Sequence, residues 1–402
     1  MRKQKLRSFL TLLAISWGTL SVVLLLAFGK GVGNQMLSGM LGAGNQIMIL
    51  YGGQTSIGYE GLGVGRRVRF VEEDVDMLLQ AIPQIRSVSP QYGQGGVRLK
   101  SELATTNTFM EGVAPEFGFM RTMYASPGGR FINEQDIVSQ RRVVFLGNEI
   151  AERLFGEESA VGQTLMLDDV PFTVVGVMQE KLQTSMNNGP DANRAIIPYS
   201  TFREMYGHRY LNSILVRPAD VTRQEYIKGE IFNVFGRKYQ FDPSDEQALG
   251  VWDFIENERI NRQVSFGIEL FLFSVGFFTL LIAGVGVANI MYVVVRERTQ
   301  EIGIKKALGA KKIHIVSQFM FESVFVSFLG GAIGLSISIL IVRGVHALDM
   351  NEGAGQFLGH PVLSEASMLL TFSILALIGI AAGVFPAKKA AGVDPVESLR
   401  YE

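Results

Sequence analysis

Hydrophobic positions along this chain come in two textures. Four stretches are almost continuously apolar: residues 9–28, 270–295, 315–342 and 368–385. A helix needs roughly 20 apolar residues to cross a bilayer core, so each stretch is predicted to be a transmembrane helix. Between the first and second stretches the pattern becomes short, mixed and punctuated by turns, which predicts a water-soluble α/β domain. Residues 46–50 fit a strand, and the glycine-dense stretch 52–65 reads as a mobile loop. Val71, Val75, Leu78, Leu79 and Ile82 fall at helical spacing behind Glu72-Glu73-Asp74, predicting an amphipathic helix with a solvated acidic first turn. Residues 143–146 and 172–177 fit buried or half-buried strands, and 148–155 a short helix capped by Asn148.

The passage from this domain to the second span has its own period. Leu249, Trp252, Ile255, Ile260 and Val264 recur every few residues, so a helix is expected to run from the outer domain into the bilayer. About 20 such residues would make a stalk of about 30 Å; a helix that merely packs on the domain is the other reading of the same period. Residues 29–41 are a weaker candidate for a matching stalk because of their glycines.

Charge orients the spans. Arg2, Lys3, Lys5 and Arg7 precede the first; Arg296, Arg298, Lys305, Lys306, Lys311 and Lys312 lie between the second and third; Lys388, Lys389 and Arg400 follow the fourth. The 343–367 loop sets one arginine against Asp349, Glu352 and Glu365. Lysine and arginine accumulate on the cytoplasmic side, so both termini and the basic connector are expected there, with the large domain outside. A cleaved signal peptide is the rival for residues 9–28, but its apolar core usually spans only about 7–15 residues. The expected domains are 1–28, a cytoplasmic start and first span; 29–265, the outer domain with its stalk; and 266–402, the remaining spans and their connector.

Composition adds exclusions. The 402 residues are 48% apolar with a formal net charge of −1, unlike a nucleic-acid binder or a disordered tail. Without cysteine there is no disulfide framework, thiolate metal site or cysteine nucleophile. The sequence has no GxxxxGK[ST] phosphate loop, HExxH helix or GxSxG elbow, and His208, His314, His346 and His360 are scattered. No catalytic, metal or cofactor residue is therefore expected; energy for any work would enter from another chain.

Three features remain as candidate functional residues. In the charged connector 296–315, apolar Ile302, Ile304, Ala307 and Leu308 sit among Glu297, Glu301, Lys305, Lys306, Lys311 and Lys312, a pattern that fits a short surface helix presenting one face to a cytoplasmic partner. Glu322 lies inside the third span, where an unpaired charge costs about 2.5–3.5 kcal/mol. It reads either as a polar lock to a neighbouring helix or connector, or as an inward-facing carboxyl near the interface. Gly284 with Ala288, Gly330 with Gly334, and Gly379 with Gly383 have the spacing that lets helices approach closely, within one bundle or between two copies.

One span, a large outer domain and three more spans form a layout that resembles the MacB/FtsX-type permeases of ABC transporters, also called type VII or mechanotransmission transporters. RERTQEIGIKKALGA at 296–310 is similar to that family's connector, and PAKKAAGVDPVESLRYE from Pro386 to its C-terminal ending. GRFINEQD at 129–136, VVFLGNEIAERLFG at 143–156, VGQTLMLDDVPFTVVGV at 161–177 and IIPYSTF at 196–202 resemble its periplasmic core domain. Many members begin with an amphipathic helix before KLRSFLTLL, where this sequence has only residues 1–4.

The resemblance implies an α+β membrane protein of the bacterial cytoplasmic membrane. It also implies a homodimer or related heterodimer bound to separate ATPase subunits that carry ATP and Mg. Residues 301–310, with Gly303, Gly309 and Ala310 among them, would form the coupling helix, with the 394–400 tail nearby. A periplasmic membrane-fusion protein is a further candidate partner. An FtsX-style regulator of an extracellular hydrolase or signalling partner is the alternative function.

Overall fold

The computed structural model describes residues 2–184, 189–348 and 359–392, with side chains from residue 9 onward. The acidic residues Asp349 and Glu352, the tail 394–400 and the side chains of Arg2, Lys3, Lys5 and Arg7 lie outside that description. Contacts divide the chain into two compact units: Met36–Asn261, and Met1–Gln35 together with Arg262–Glu402.

The elements in chain order are α1 (Arg2–Leu41), β1 (Met48–Gly52), α2 (Glu73–Ala81), β2 (Ile85–Lys100), β3 (Thr105–Val113), α3 (Glu116–Met120) and α4 (Glu134–Val138). They continue with β4 (Val143–Leu146), α5 (Asn148–Phe155), β5 (Thr164–Leu167), β6 (Val170–Val177), β7 (Arg194–Pro198), α6 (Tyr199–Tyr206), β8 (Ser213–Pro218), α7 (Gln224–Tyr239) and β9 (Leu249–Asp253). Among the described residues, four helices follow: α8 (Phe254–Glu297), α9 (Thr299–Ala307), α10 (Lys312–His346) and α11 (Glu365–Ala391).

The outer unit, Met36–Asn261, is built on one nine-stranded sheet in the order β3-β7-β4-β6-β5-β2-β8-β1-β9, and a further β2–β3 pairing closes the first six strands into a ring. Its hinge is β2. Residues Ile85–Gln91 pair with β8, and the later ones pair with β3 and β5. The change of partner falls beside a bulge between Gln94 and Val97, where Gly96 takes φ +73°, a left-handed conformation that glycine reaches without the Cβ clash. Apolar side chains fill the interior, with Leu99, Met110, Leu146, Leu165, Val174 and Ile197 buried.

Several local expectations change in three dimensions. The 148–155 helix forms, but its N-cap is Gly147; Asn148 is already helical and its Oδ1 is buried without a hydrogen-bond partner. Asp74 is not solvated: it is fully buried, accepts from Val71 N (2.8 Å) and the Tyr239 hydroxyl (2.5 Å), and pairs with Lys238. The glycine-dense stretch is tied down by Asp245, which accepts from Ser56 N (2.6 Å), Ser56 Oγ (2.6 Å) and Ile57 N (3.0 Å).

Corrections also fall at the roots of the two long helices. Leu249 and Trp252 belong to β9, paired with β1, and not to a helix. A spacing of three residues fits helix and strand alike, and an available sheet edge decides. Helix α8 starts directly after β9, with Asp253 Oδ1 accepting from Ile255 N (2.9 Å) and Glu256 N (3.1 Å). At the other root, α1 is helical through Leu41 despite Gly29, Gly31, Gly33 and Gly39. These glycines serve close approach: a Cβ on Gly39 would lie 2.4 Å from Thr184 Cγ2, and one on Gly31 would lie 2.5 Å from His360 O.

Candidate coupling surface

Among the described residues, four helices are long and apolar enough to cross a membrane: Phe9–Leu41, Phe254–Glu297, Lys312–His346 and Glu365–Ala391. Much of their apolar surface faces outward, including Trp17, Phe271, Phe278, Ile282, Phe321 and Leu377. Such exposure suits a hydrocarbon solvent rather than water.

Within the unit formed by Met1–Gln35 and Arg262–Glu402, the interfaces are made of small residues. A Cβ on Gly334 would fall 2.4 Å from Ser16 O, one on Gly330 2.9 Å from Ile15 Cβ, and one on Gly284 2.3 Å from Ile378 Cγ2. Gly379 and Gly383 face Ser327 and Ser323, at 2.9 Å from Ser327 Oγ and Ser323 Cβ. Serines supply hydrogen bonds between helices: Ser16 Oγ donates to Gly330 O (2.9 Å) and Ser323 Oγ to Gly379 O (2.8 Å). Ala288 packs, half-buried, against the same core.

The connector is α9 with the turn that follows it. Ala310 N donates to Lys305 O and Gly309 N to Lys306 O, both at 3.0 Å, closing a two-bond helix stop in which Gly309 takes φ +90°. A side chain at that φ clashes with its own backbone, which explains the glycine in KKALGA.

The predicted apolar face of α9 divides in two. Ile302 is 3% exposed and joins Val295, Ile315, Phe319, Ala387 and Ala390 in the bundle core, and Gly303 is buried with it. Ile304 and Leu308, one turn apart, face outward with Ala307; Leu308 is 83% exposed. Glu301, Lys305, Lys311 and Lys312 are exposed around them, as is Ile313 at the start of α10. Lys305 Nζ donates to Gln318 Oε1 (3.0 Å), and Lys306 Nζ to Ala391 O (2.9 Å), where a cation meets the carbonyl end of α11. Ala310 is half-buried, and Glu297 ends α8.

Glu322 has a partner in the connector, as the polar-lock reading of the sequence expects. Arg298 Nη1 lies 3.3 Å from Glu322 Oε2, so the residue linking α8 to α9 is paired with the carboxylate on α10. Both side chains are partly exposed, and such a pair contributes at most about 1 kcal/mol. His346 and His360 stack with ring centroids 4.9 Å apart.

In the outer unit the missed feature is a buried ionic cluster. Asp191 accepts from Arg121 Nη2 (2.8 Å) and Lys181 Nζ (2.7 Å), and Arg194 pairs with Glu111. All but Lys181 are at most 1% exposed. Burial pushes Asp191 up, but the charges of Arg121, Lys181 and Arg194 outweigh it and hold the carboxyl below its ordinary range. For Glu111 burial dominates over Arg194, and the carboxyl is raised.

The cluster abuts the C-terminal turn of α1. Lys181 Nζ also donates to Arg121 O (2.7 Å) and Thr184 N to Gly39 O (3.0 Å), while the Thr122 hydroxyl, with one proton to give, lies 3.1 Å from both Leu41 O and Gly42 O. The root of α1 is thus held by the same loop that closes over Asp191.

Comparison with known proteins now adds a name for the arrangement. Residues 8–233 match the family described as MacB-like periplasmic core domain, and residues 273–395 match FtsX-like permease C-terminal. The chain belongs to the MacB/FtsX family of ABC transporter permeases. Among curated relatives, the macrolide export ATP-binding/permease protein MacB of Bdellovibrio bacteriovorus is 31% identical over 405 residues, covering 99% of this chain and 60% of the relative. The protein of the same name from Wolinella succinogenes is 31% identical over 405 residues, covering 98% of this chain and 58% of the relative. The chain therefore spans about 60% of the length of the curated relatives it matches. Among solved structures, the periplasmic region of MacB from Actinobacillus actinomycetemcomitans is 18% identical with a TM-score of 0.44, over 56% of this chain and 95% of that one. As a MacB/FtsX permease, the chain has the family's order of one apolar helix, a large α/β unit and three further apolar helices.

Proposed function

We propose that this permease couples ATP hydrolysis by a separate ATPase subunit to movement of its outer unit, driving export or extraction of a substrate. In this reading the α9 hairpin and both chain ends are cytoplasmic, the outer unit is extracytoplasmic, and two permease copies work with ATPases that hold ATP and Mg. The observation that carries the reading is the pair Ile304 and Leu308, exposed on a hairpin whose other face, Ile302 and Gly303, is locked into the bundle. A rigidly mounted apolar knob ringed by lysines suits a docking cleft on a partner, since buried apolar anchors carry most interface energy. Force delivered there enters α8 and α10 through the shared core around Ile302. At the outer roots, the Asp253 cap and the Thr122 and Thr184 bonds leave little slack between helix and sheet.

The test is Leu308→Glu alongside Ile304→Glu. Purified from native membranes, the unaltered chain is expected to bring ATPase activity with it. Each variant is expected to lose most of that activity and still to insert normally, because side chains that are 83% (Leu308) and 45% (Ile304) exposed contribute little to folding. Undiminished co-purifying activity in both variants would contradict the reading.

A further inference from the structure

Away from the coupling surface, a basic cleft of about 470 Å³ opens in the outer unit between residues 67–70 and 208–212, with Gly52 at its edge. Strand β1 runs from Met48, paired with Asp253 at the root of α8, to Gly52, paired with Leu249. The cleft therefore lies at the end of β1 remote from that root, about 13 Å further along the strand at about 3.3 Å per residue.

Its walls are fixed by backbone hydrogen bonds. Leu211 N donates to Phe70 O (2.9 Å) and Asn212 N to Gln91 O (2.9 Å). His208 packs edge-on to Phe202, with ring centroids 5.4 Å apart.

Onto this frame the cleft gathers Arg67, Arg69, Arg209 and His208, and no carboxylate lines it. The Arg69 and Arg209 guanidinium carbons lie 5.1 Å and 5.6 Å from the centroid of the same Tyr210 ring. Among the described residues none of the three arginines forms an ion pair. Cations held together around one ring repel, and the ring quadrupole offsets only part of that repulsion. An oxyanion entering the cleft would remove it, and guanidinium forks match phosphate oxygens in pairs. A monocarboxylate would leave most of the positive charge unmatched, whereas a multiply charged phosphate would balance it.

We propose that this cleft binds a phosphate-bearing ligand of at least two negative charges, either a free phosphate compound or a phosphorylated lipid head group. The site stands independently of the ATPase reading, because it is measured on the permease alone. The full chain, held in nanodiscs of zwitterionic lipid at low salt, is titrated calorimetrically with inorganic pyrophosphate, and separately tested for capture of vesicles containing cardiolipin, whose head group carries two phosphates, against phosphatidylcholine vesicles. Saturable pyrophosphate binding, weakened about tenfold or more in the combined Arg67→Gln, Arg69→Gln, Arg209→Gln variant, is expected for a free phosphate source. Capture of the anionic vesicles that pyrophosphate competes away, and that the same variant loses, identifies the head group as the source. In either case Tyr210→Phe should bind as the unaltered chain does, and Tyr210→Ala more weakly.

Thermal unfolding separates a ligand site from a structural patch. Without ligand at low salt, Arg209→Gln should raise the midpoint of the outer unit, and added salt should shrink the difference. Failure of both probes to bind, binding unchanged in the triple variant, or a lowered midpoint for Arg209→Gln would each overturn the proposal.

Discussion

The two units of this permease use opposite means to fix their packing. In the outer unit five side chains spread from Glu111 to Arg194 form a buried ionic cluster, paired with one another and with backbone carbonyls, although Glu111 Oε2, Arg121 Nε and Arg194 Nε are left without a hydrogen-bond partner. In the bundle the close contacts set glycines against serine and aliphatic side chains, with hydroxyls donating to carbonyls of the neighbouring helix. The contrast follows from solvent. A water-exposed unit gains stability from apolar burial and can carry a costly charge cluster that specifies one arrangement. A bundle in hydrocarbon gains little from apolar burial between helices, so closeness of approach and hydrogen bonds decide how its helices meet. The pairing of means to solvent implies that damage should stay within one unit. Trp17 lies in the bundle and Trp252 in the outer unit, so single-tryptophan variants report each separately.

The largest expected effect is in the outer unit. Asp191→Ala leaves Arg121 and Lys181 buried without their shared carboxylate, and removing one partner of a buried pair costs about 3–5 kcal/mol. The Trp252 unfolding transition should fall accordingly, with the Trp17 transition unmoved. The same residue sets a pH dependence. Its folded pKa is lowered, so its stabilising contribution is complete above the ordinary value of 3.8 and is lost as pH falls through the lowered one. Asp191→Asn should flatten this acid limb of the Trp252 transition.

Next in size is Gly334→Leu in the bundle. The new side chain would start 2.4 Å from Ser16 O, and overpacking of this kind costs about 1–3 kcal/mol. Here the Trp17 transition should move and the Trp252 transition should not; equal shifts of both would break the comparison. Smaller still is Gly309→Ala, which places a Cβ at φ +90° for about 1–2 kcal/mol. Its expected consequence is fraying of the turn after α9, seen as faster amide exchange at Gly309 and Ala310, with both tryptophan transitions nearly unchanged.

What could be read from the sequence follows the same division. The spans are local signals, since a continuous apolar run needs no knowledge of its neighbours, and strand β4 appears at its predicted residues for a similar reason. The helix stop at Gly309 is written in KKALGA, and the cap of α8 in Asp253-Phe254-Ile255-Glu256, although the spacing of Leu249 and Trp252 hid it. The ionic cluster carries no such local mark, because Arg121, Lys181 and Asp191 meet only through the folded sheet ring. Likewise nothing local distinguishes Ile302 from Ile304. Their opposite fates depend on Ala387 and Ala390 of α11 lying beneath one face of α9.

The proposed function rests on the knob at Leu308 sharing a compartment with the nucleotide while the outer unit does not. With no native cysteine, the chain allows a direct test by Leu308→Cys and Glu60→Cys, one on the α9 turn and one on the exposed 52–65 stretch. A membrane-impermeant maleimide applied to intact cells, with the outer envelope made permeable where one exists, should label position 60 at once and position 308 only after the cytoplasmic membrane is opened. Labelling of position 308 while that membrane is intact would contradict the account.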